Sequence, residues 1–327
     1  PILHSFPTRR SSDLVKDEAI RKQITELVDL GVLEECDTPY YSQVHMTPKP
    51  NGDWRFCIDF RRLNDATEPR QWHLPNIKQM LQRIGSKKYK ATLDLTSGYH
   101  QAPISADCKK YTSFICFMGI FCWTRLVIGL KGAAAYFQQM LTRVVLIGLI
   151  HIICELYIDD CIVFGDTEDE FITNLREVFK RCRKYGLTVN PRKTKLLHPK
   201  CKYVGYELTE KGITFDKEKC EGVNNFPRPL IAKHLKKFVG LVQHFSSHIP
   251  NMSDKVRPLH KMLDGYTKGS NKKLIWTQEA IDAFETIKKD IHDCPLLFFV
   301  EGSWQIYVQT DASLYGIGGY VFQIVDG

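Results

Sequence analysis

The sequence has no CxxC pair among its eleven cysteines, no apolar run of membrane-spanning length, no internal repeat and no low-complexity tract. Without paired spacing the scattered thiols define neither a zinc knuckle nor a disulfide framework. Reduced cysteines in an intracellular compartment, cytoplasm or nucleus, are the expectation. The most apolar stretch, Val144 to Cys154, is interrupted by His151 and followed by Glu155. It falls short of the roughly 18–20 apolar residues that a bilayer span needs, so a membrane is not expected as a partner. Absent repeats exclude solenoid and propeller arrays. A strong charge of one sign is lacking too: 45 Lys and Arg against 37 Asp and Glu leave a net +8, which suits a polyanionic partner without defining one.

What remains is an ordinary globular composition, 43% hydrophobic and 25% charged over 327 residues, enough for two or three domains with buried cores. Residues 1–14 are set aside from fold reasoning as a leader of non-native character, because Phe6-Pro7-Thr8-Arg9-Arg10-Ser11-Ser12-Asp13-Leu14 reads like a translated sequencing adapter.

The first periodic segment places Ile20, Ile24, Leu27, Val28 and Leu30 on one helical stripe that stops at Gly31. From Tyr40 to Leu63, short runs around Asn51-Gly52-Asp53 predict a β-hairpin with Lys49 and Arg55 flanking its turn. Tyr89 to Leu95 reads as a strand that brings Asp94 near its end, and Ala133 to Ile150 as a helix. Two apolar runs, Ile152 to Tyr157 and Cys161 to Phe164, are separated only by Ile158-Asp159-Asp160, a hairpin with acid at its tip. Helices are expected over Glu168 to Tyr185, after the Phe226-Pro227-Arg228-Pro229 boundary and over Thr277 to His292. A strand from Trp304 to Thr310 then ends at Asp311.

Adjacent carboxylates between buried strands are costly unless a cation cancels the repulsion. Hard oxygen ligands at a strand end suit magnesium, which keeps waters and substrate phosphates in its other positions. Successive residues of an extended chain face opposite ways, so only one of Asp159 and Asp160 can point directly at a given metal, and Asp94 is the natural partner. Polymerases and nucleases both use two metals held this way for in-line phosphoryl transfer.

Leu93-Asp94-Leu95-Thr96-Ser97-Gly98-Tyr99-His100-Gln101 resembles the LDLxSGYHQ segment of gypsy-type LTR retrotransposon reverse transcriptases, and Tyr157-Ile158-Asp159-Asp160 is similar to their YxDD box. Cys57 to Asn64 resembles CVDYRxLN, Gly186 to Lys193 resembles GLxxNPxK, and Tyr203-Val204-Gly205-Tyr206 resembles the primer-grip FLGH segment. The motifs stand in family order from about Gly31 to the C-terminus.

The resemblance implies an α+β right-hand polymerase fold, with fingers and palm over 15–206 and a thumb and tether over 207–300. The first strands of a truncated ribonuclease H-like domain follow over 301–327. It makes Asp94, the Leu95 carbonyl, Asp159 and Asp160 the ligands of two Mg2+ ions, with Mn2+ able to substitute, and Lys193 the group that protonates the leaving pyrophosphate. Lys49, Arg55, Tyr99 and Ile128 become nucleotide contacts, Tyr99 as the gate under the incoming sugar; Arg61, Tyr203, Gly205 and Tyr206 become template or primer contacts. Asp311, in a segment similar to the ribonuclease H TDAS opening, becomes a remnant metal ligand. The implied partners are an RNA or DNA template with annealed primer, and dNTPs.

Two departures stand out. The family's PFGLxNAP appears as Val127 to Ala134, without either proline and with Ile128 for Phe, and His45 to Pro50 lacks adjacent basic residues. They keep open an inactive, nucleic-acid-binding remnant; a two-metal nuclease leaves Lys49, Arg55 and Tyr99 without purpose. His244 and His248, four apart, have the spacing of a shared metal but no third ligand fixed nearby, and packing against a neighbouring helix explains them as well.

Overall fold

The computed structural model describes residues 11–48, 52, 54–85, 87–197, 200–209, 211–266, 271, 273–294, 296–299, 304–313 and 316–324. The first helix, α1 (Ser11–Asp29), starts earlier than the expected stripe and runs back into the segment set aside as a leader. Its Ile20, Ile24 and Leu27 are buried. Gly31, at φ +66°, ends it: the Gly31 amide donates to the Val28 carbonyl and the Val32 amide to that of Leu27, the αL stop that glycine adopts without a Cβ penalty.

Strands β1 (Leu33–Glu35), β2 (Ser42–Pro48) and β3 (Trp54–Asp59) follow, then α2 (Arg61–Ala66), α3 (Ile77–Gly85) and β4 (Tyr89–Asp94). The expected hairpin is β2 with β3, in register from Gln43 opposite Asp59 to Pro48 opposite Trp54. Lys49, Pro50, Asn51 and Asp53 lie outside the described residues. Next come α4 (Ala106–Lys109), β5 (Phe114–Cys116), β6 (Gly119–Trp123) and α5 (Ala133–Met140). The helix expected to reach Ile150 stops ten residues short: Leu141–Val145 is a π-turn, and Gly148 sits at φ +77°. Branched Thr142, Val144 and Val145 crowd an α-helical ladder, and glycine then releases the chain.

Strands β7 (Cys154–Tyr157) and β8 (Asp160–Gly165) form the acidic hairpin, with Asp160 opening the second strand rather than lying in the turn. Helix α6 (Glu168–Lys184) carries Glu168, Asp169 and Glu170 in its first turn and Arg181, Arg183 and Lys184 in its last, which complements the helix dipole. The chain continues through β9 (Lys195–Leu196), β10 (Cys201–Tyr203), β11 (Tyr206–Leu208), β12 (Gly212–Phe215), α7 (Lys217–Asn224), α8 (Ala232–Val242), α9 (Met252–Lys261) and α10 (Gln278–His292). It ends with β13 (Leu297–Phe298), β14 (Tyr307–Ser313) and β15 (Gly316–Phe322). Asp311 is therefore inside a strand, opposite Gly318, and not at a strand end.

The chain divides into two compact units: Pro1–Pro75, Leu93–Cys161 and Arg176–Thr194 form the first, and Asn76–Thr92, Ile162–Leu175 and Lys195–Gly327 the second. The first holds the sheet β1-β6-β5-β2-β3, antiparallel except where β2 meets β5, over a core of α1 apolar residues with Phe60, Phe114, Phe121 and Trp123. The second holds β10-β11-β12-β13 and a helical core in which Leu235, Phe238, Val242, Phe284 and Ile287 are fully buried. In the sheet β7-β8-β4-β9 the division falls within β4 and within β8. All eleven cysteines are free thiols. Among the described residues no helix is long and apolar enough to cross a membrane.

Candidate functional site

The acidic hairpin turns on two residues, Ile158 and Asp159, with φ +59° at Ile158. A positive φ at only the first central residue is the type II′ pattern, which glycine usually supplies. A β-branched residue there is an outlier, so the surroundings must hold it. Buried Gln138 of α5 does so. Its Oε1 accepts from the Ile158 amide at 2.5 Å, and its Nε2 donates to the Leu156 carbonyl at 3.3 Å and to Thr142 Oγ1 at 3.2 Å. One side chain thereby ties the end of β7 to the first residue of the turn that presents Asp159.

Asp94 arrives from β4. The Asn190 amide donates to the Asp94 carbonyl at 2.8 Å and the Thr96 amide to the Thr188 carbonyl at 3.0 Å, bracketing the Leu95–Val189 bridge. The bracketed residues form the non-hydrogen-bonded pair of an antiparallel ladder, so this bridge does not consume the Leu95 carbonyl. Gln101 locks the same crossing, donating to the Thr96 and Thr188 carbonyls at 2.5 and 2.9 Å and accepting from the Thr188 amide at 2.7 Å. The segment so held carries Lys193, whose Nζ stands 3.5 Å from Asp94 Oδ2.

The three carboxylates feel one another. Burial, then the charges of Asp159 and Asp94, push the Asp160 carboxyl up to about 6, with Lys193 pulling the other way. Among the described residues no three His, Cys, Asp or Glu side chains are gathered closely enough to cage a metal. A Mg2+ ion is ordinarily held by one or two carboxylates together with substrate phosphates. A concentration of negative charge that already resists ionisation is the fit such a cation requires.

Tyr99 stacks on buried Phe137, with ring centroids 5.1 Å apart and planes at 21°. Burial and then the Asp159 carboxylate push its hydroxyl pKa up, so the ring lies beside the acidic turn. Gly98 permits this approach, because a Cβ there would stand 3.2 Å from Phe137 Cζ.

The remaining candidates are dispersed. Arg55 is exposed on β3, in a different sheet from the carboxylates. Ile128 is exposed, in a segment braced by Asn64: its Nδ2 donates to the Gly129 carbonyl at 2.8 Å and its Oδ1 accepts from the Lys131 amide at 2.7 Å. The loss of both prolines is thus compensated by a side-chain clamp. Arg61 closes on Asp59, donating from Nε at 2.8 Å and from Nη2 at 2.6 Å, and this pairing holds the Asp59 carboxyl down at about 2. In the second unit, Val204 and Gly205 have φ +48° and +77°, a type I′ pattern between β10 and β11. Tyr203 is buried, while Tyr206 stacks on Phe215 at 4.8 Å with Lys219 Nζ 5.9 Å from its ring. Any contact at that turn is therefore made by backbone or Tyr206, not by the Tyr203 ring.

Gln138, Gln101 and Asn64 were not singled out in the sequence, although Gln101 and Asn64 stand within its motifs. Gln138 left a faint mark as one of two adjacent glutamines on a largely apolar helix. Replacing it by Leu strands the Ile158 amide and the Leu156 carbonyl, and should destabilise the protein by roughly 2–4 kcal/mol. Thermal unfolding should show a Tm lower by about 5–10 °C. An unchanged Tm would mean that the clamp contributes nothing.

An α+β right-hand polymerase with an acidic hairpin in its palm is the class that this fold defines. Residues 47–208 match the family described as "Reverse transcriptase (RNA-dependent DNA polymerase)" and residues 276–327 the "RNase H-like domain found in reverse transcriptase". The retrovirus-related Pol polyprotein from transposon opus of Drosophila melanogaster is 32% identical over 315 residues, covering 93% of this chain and 31% of that polyprotein. The one from transposon 412 of the same fly is 32% identical over 316 residues, covering 95% and 25%. The Tf2-3 polyprotein of Schizosaccharomyces pombe is 27% identical over 311 residues, covering 94% and 23%. The foamy viral protease-reverse transcriptase dRH in complex with double-stranded DNA shares the fold at TM-score 0.83 and 24% identity, over 94% of this chain and 53% of that one. The chain belongs to the reverse transcriptase family, as the polymerase region of a gypsy-type, retrovirus-related Pol polyprotein. It spans under a third of the length of these polyprotein relatives.

Proposed function

We propose that the chain extends a primer 3′-hydroxyl with deoxynucleotides along an RNA or DNA template. The observation that carries this reading is the mutual influence of Asp94, Asp159, Asp160 and Lys193 at one point of the palm. Asp94, Asp159, the Leu95 carbonyl and, beside them, Asp160 would hold two Mg2+ ions. Bound there, such ions supply activation of the attacking oxygen and stabilisation of the leaving group.

The chain's own residues do the rest. Lys193 donates a proton to the leaving pyrophosphate, and the Tyr99 ring fills the space that a ribose 2′-hydroxyl would take. Arg55, with Lys49, meets the triphosphate, and Ile128 lies along the nucleotide. Arg61 holds the template and the turn at Gly205 and Tyr206 the primer. Arg61 must exchange Asp59 for a phosphate to do so, a trade between two bidentate partners of a guanidinium. The net +8 charge favours binding that weakens steeply with salt.

The Asn64 brace favours this reading over an inactive remnant, because the divergent segment remains held rather than loosened. Primer extension with one labelled dNTP separates the alternatives. Extension supports the proposal, retention of primer–template without extension identifies a remnant, and degradation identifies a nuclease.

A pH dependence follows. The folded-state pKa of Asp160, about 6, lies above the ordinary carboxylate value, so its contribution to stability is present below about pH 4 and lost as pH rises through 6. Denaturation without metal should show stability falling across that window. Mg2+ together with primer–template and dNTP should recover it at pH 7.5 more than at pH 5. Equal recovery at both pH values would separate Asp160 from the metal site.

A further inference from the structure

The second unit contains a cavity of about 580 Å³, of whose lining the polymerase reading uses Tyr206 alone. Its volume is within the usual small-molecule range of roughly 300–1,000 Å³. Leu81 of α3, Ile213 of β12 and Leu297 of β13 make its walls apolar, and Tyr206, Phe298 and Phe299 supply flat aromatic surface. Its rim is polar: Lys78, Gln82 and Ser247 are all exposed. Lys78 brings the one formal charge in the lining, and among the described residues no carboxylate pairs with it.

His248 is the anomaly in the wall. It is 3% exposed, and among the described residues neither ring nitrogen has a hydrogen-bond partner. The Ile213 backbone lies beside the ring without reaching hydrogen-bond geometry. The ring is wedged against Phe215 at 4.4 Å and near Tyr206 at 6.5 Å. Burial, and in smaller part the Lys78 charge, push its pKa down to about 4, so at neutral pH it is an uncharged imidazole with one N–H to give and one lone pair. The metal-pair spacing with His244 does not survive in the fold. Helix α8 ends at Val242 and Gln243–Phe245 is a 3-10 turn, which leaves His244 exposed and His248 buried.

We propose that this cavity binds a planar aromatic carboxylate, its ring between the aromatic walls and its carboxylate between Lys78 and an N–H that His248 turns toward the opening. A carboxylate is acceptor-only and negative, so it answers both the unmatched ammonium and the unpaired imidazole donor. A planar ring matches walls made of aromatic faces and edges better than a flexible chain, which would lose rotamer freedom on binding.

The test uses 2-naphthoate as probe, titrated calorimetrically into the full chain, with neutral 2-naphthylmethanol and flexible octanoate as comparison ligands. Saturable one-to-one binding of 2-naphthoate is expected, with both comparison ligands weaker by about tenfold. Ser247→Trp, which fills the cavity from its exposed rim, should abolish binding; Lys78→Gln, an exposed change that leaves folding intact, should weaken it about tenfold. His248→Phe should weaken the probe and raise the Tm of the unliganded protein, because it removes two unpaired buried nitrogens. The proposal is overturned if 2-naphthoate does not saturate at about 1 mM, if octanoate or the neutral alcohol binds as tightly, or if Ser247→Trp and Lys78→Gln bind it like the parent chain.

Discussion

Asp159→Asn should remove primer extension and leave primer–template binding in place. The substitution keeps the size and shape of the side chain, removes its charge and exchanges one acceptor oxygen for an N–H donor group. Asp159 sits at an exposed turn whose shape is set by Gln138 and Ile158, so the hairpin should fold as before. What would be lost is one of the carboxylates proposed to hold a cation while negative charge builds on the reacting phosphate. That should cost roughly 4 kcal/mol or more, a fall of about a thousandfold or greater in the single-turnover rate. Asp94→Asn should behave alike, and should in addition free Lys193, which now stands 3.5 Å from Asp94. Single-turnover extension measured beside fluorescence anisotropy of a labelled primer–template makes the separation. A correctly folded variant of either kind that extends at the parent rate would remove that residue from the metal site.

Tyr99→Val should let ribonucleotides in. The Tyr99 ring is stacked on Phe137 and feels the Asp159 carboxylate, and the proposed function puts the nucleotide sugar against it. Valine lacks the reach to cover that space. Discrimination by exclusion of a hydroxyl-sized group from a pocket is worth about 1–3 kcal/mol, so the ratio of ribonucleotide to deoxynucleotide incorporation should rise by roughly 10–200-fold. Steady-state incorporation of each nucleotide opposite one template base measures the ratio. If it does not move while deoxynucleotide incorporation persists, Tyr99 is a packing residue that serves Phe137 alone. Loss of the stacked pair should also lower stability by about 1 kcal/mol, which a thermal scan reads separately.

Much of this architecture was legible in the sequence, for definite reasons. Helices α1 and α6 announce themselves by an apolar stripe ending at Gly31 and Gly186, and both glycines adopt the positive φ that such an ending needs. The acidic hairpin is legible because apolar runs flank a short polar interruption. Its finer geometry was not: Asp160 opens a strand, since only Ile158 and Asp159 are required for a two-residue turn. The extent of α5 was misjudged because its Leu and Val residues extend an apolar pattern past the point where the backbone changes its hydrogen bonding. The clamps formed by Gln138, Gln101 and Asn64 join groups 20, 87 and 65 residues apart in the chain. Such bonds have no period, and only the assembled fold reveals them.

The isoleucine at φ +59° would set stability against the proposed extension activity at one position. Left-handed backbone costs a branched residue on the order of 1–2 kcal/mol, which glycine would largely avoid. Glycine would also widen the range of shapes open to the loop that carries Asp159. A randomised library at residue 158 should therefore diverge with the pressure applied: selection for heat resistance should enrich Gly and Asn, while selection for extension should retain a side chain that keeps the turn to one shape.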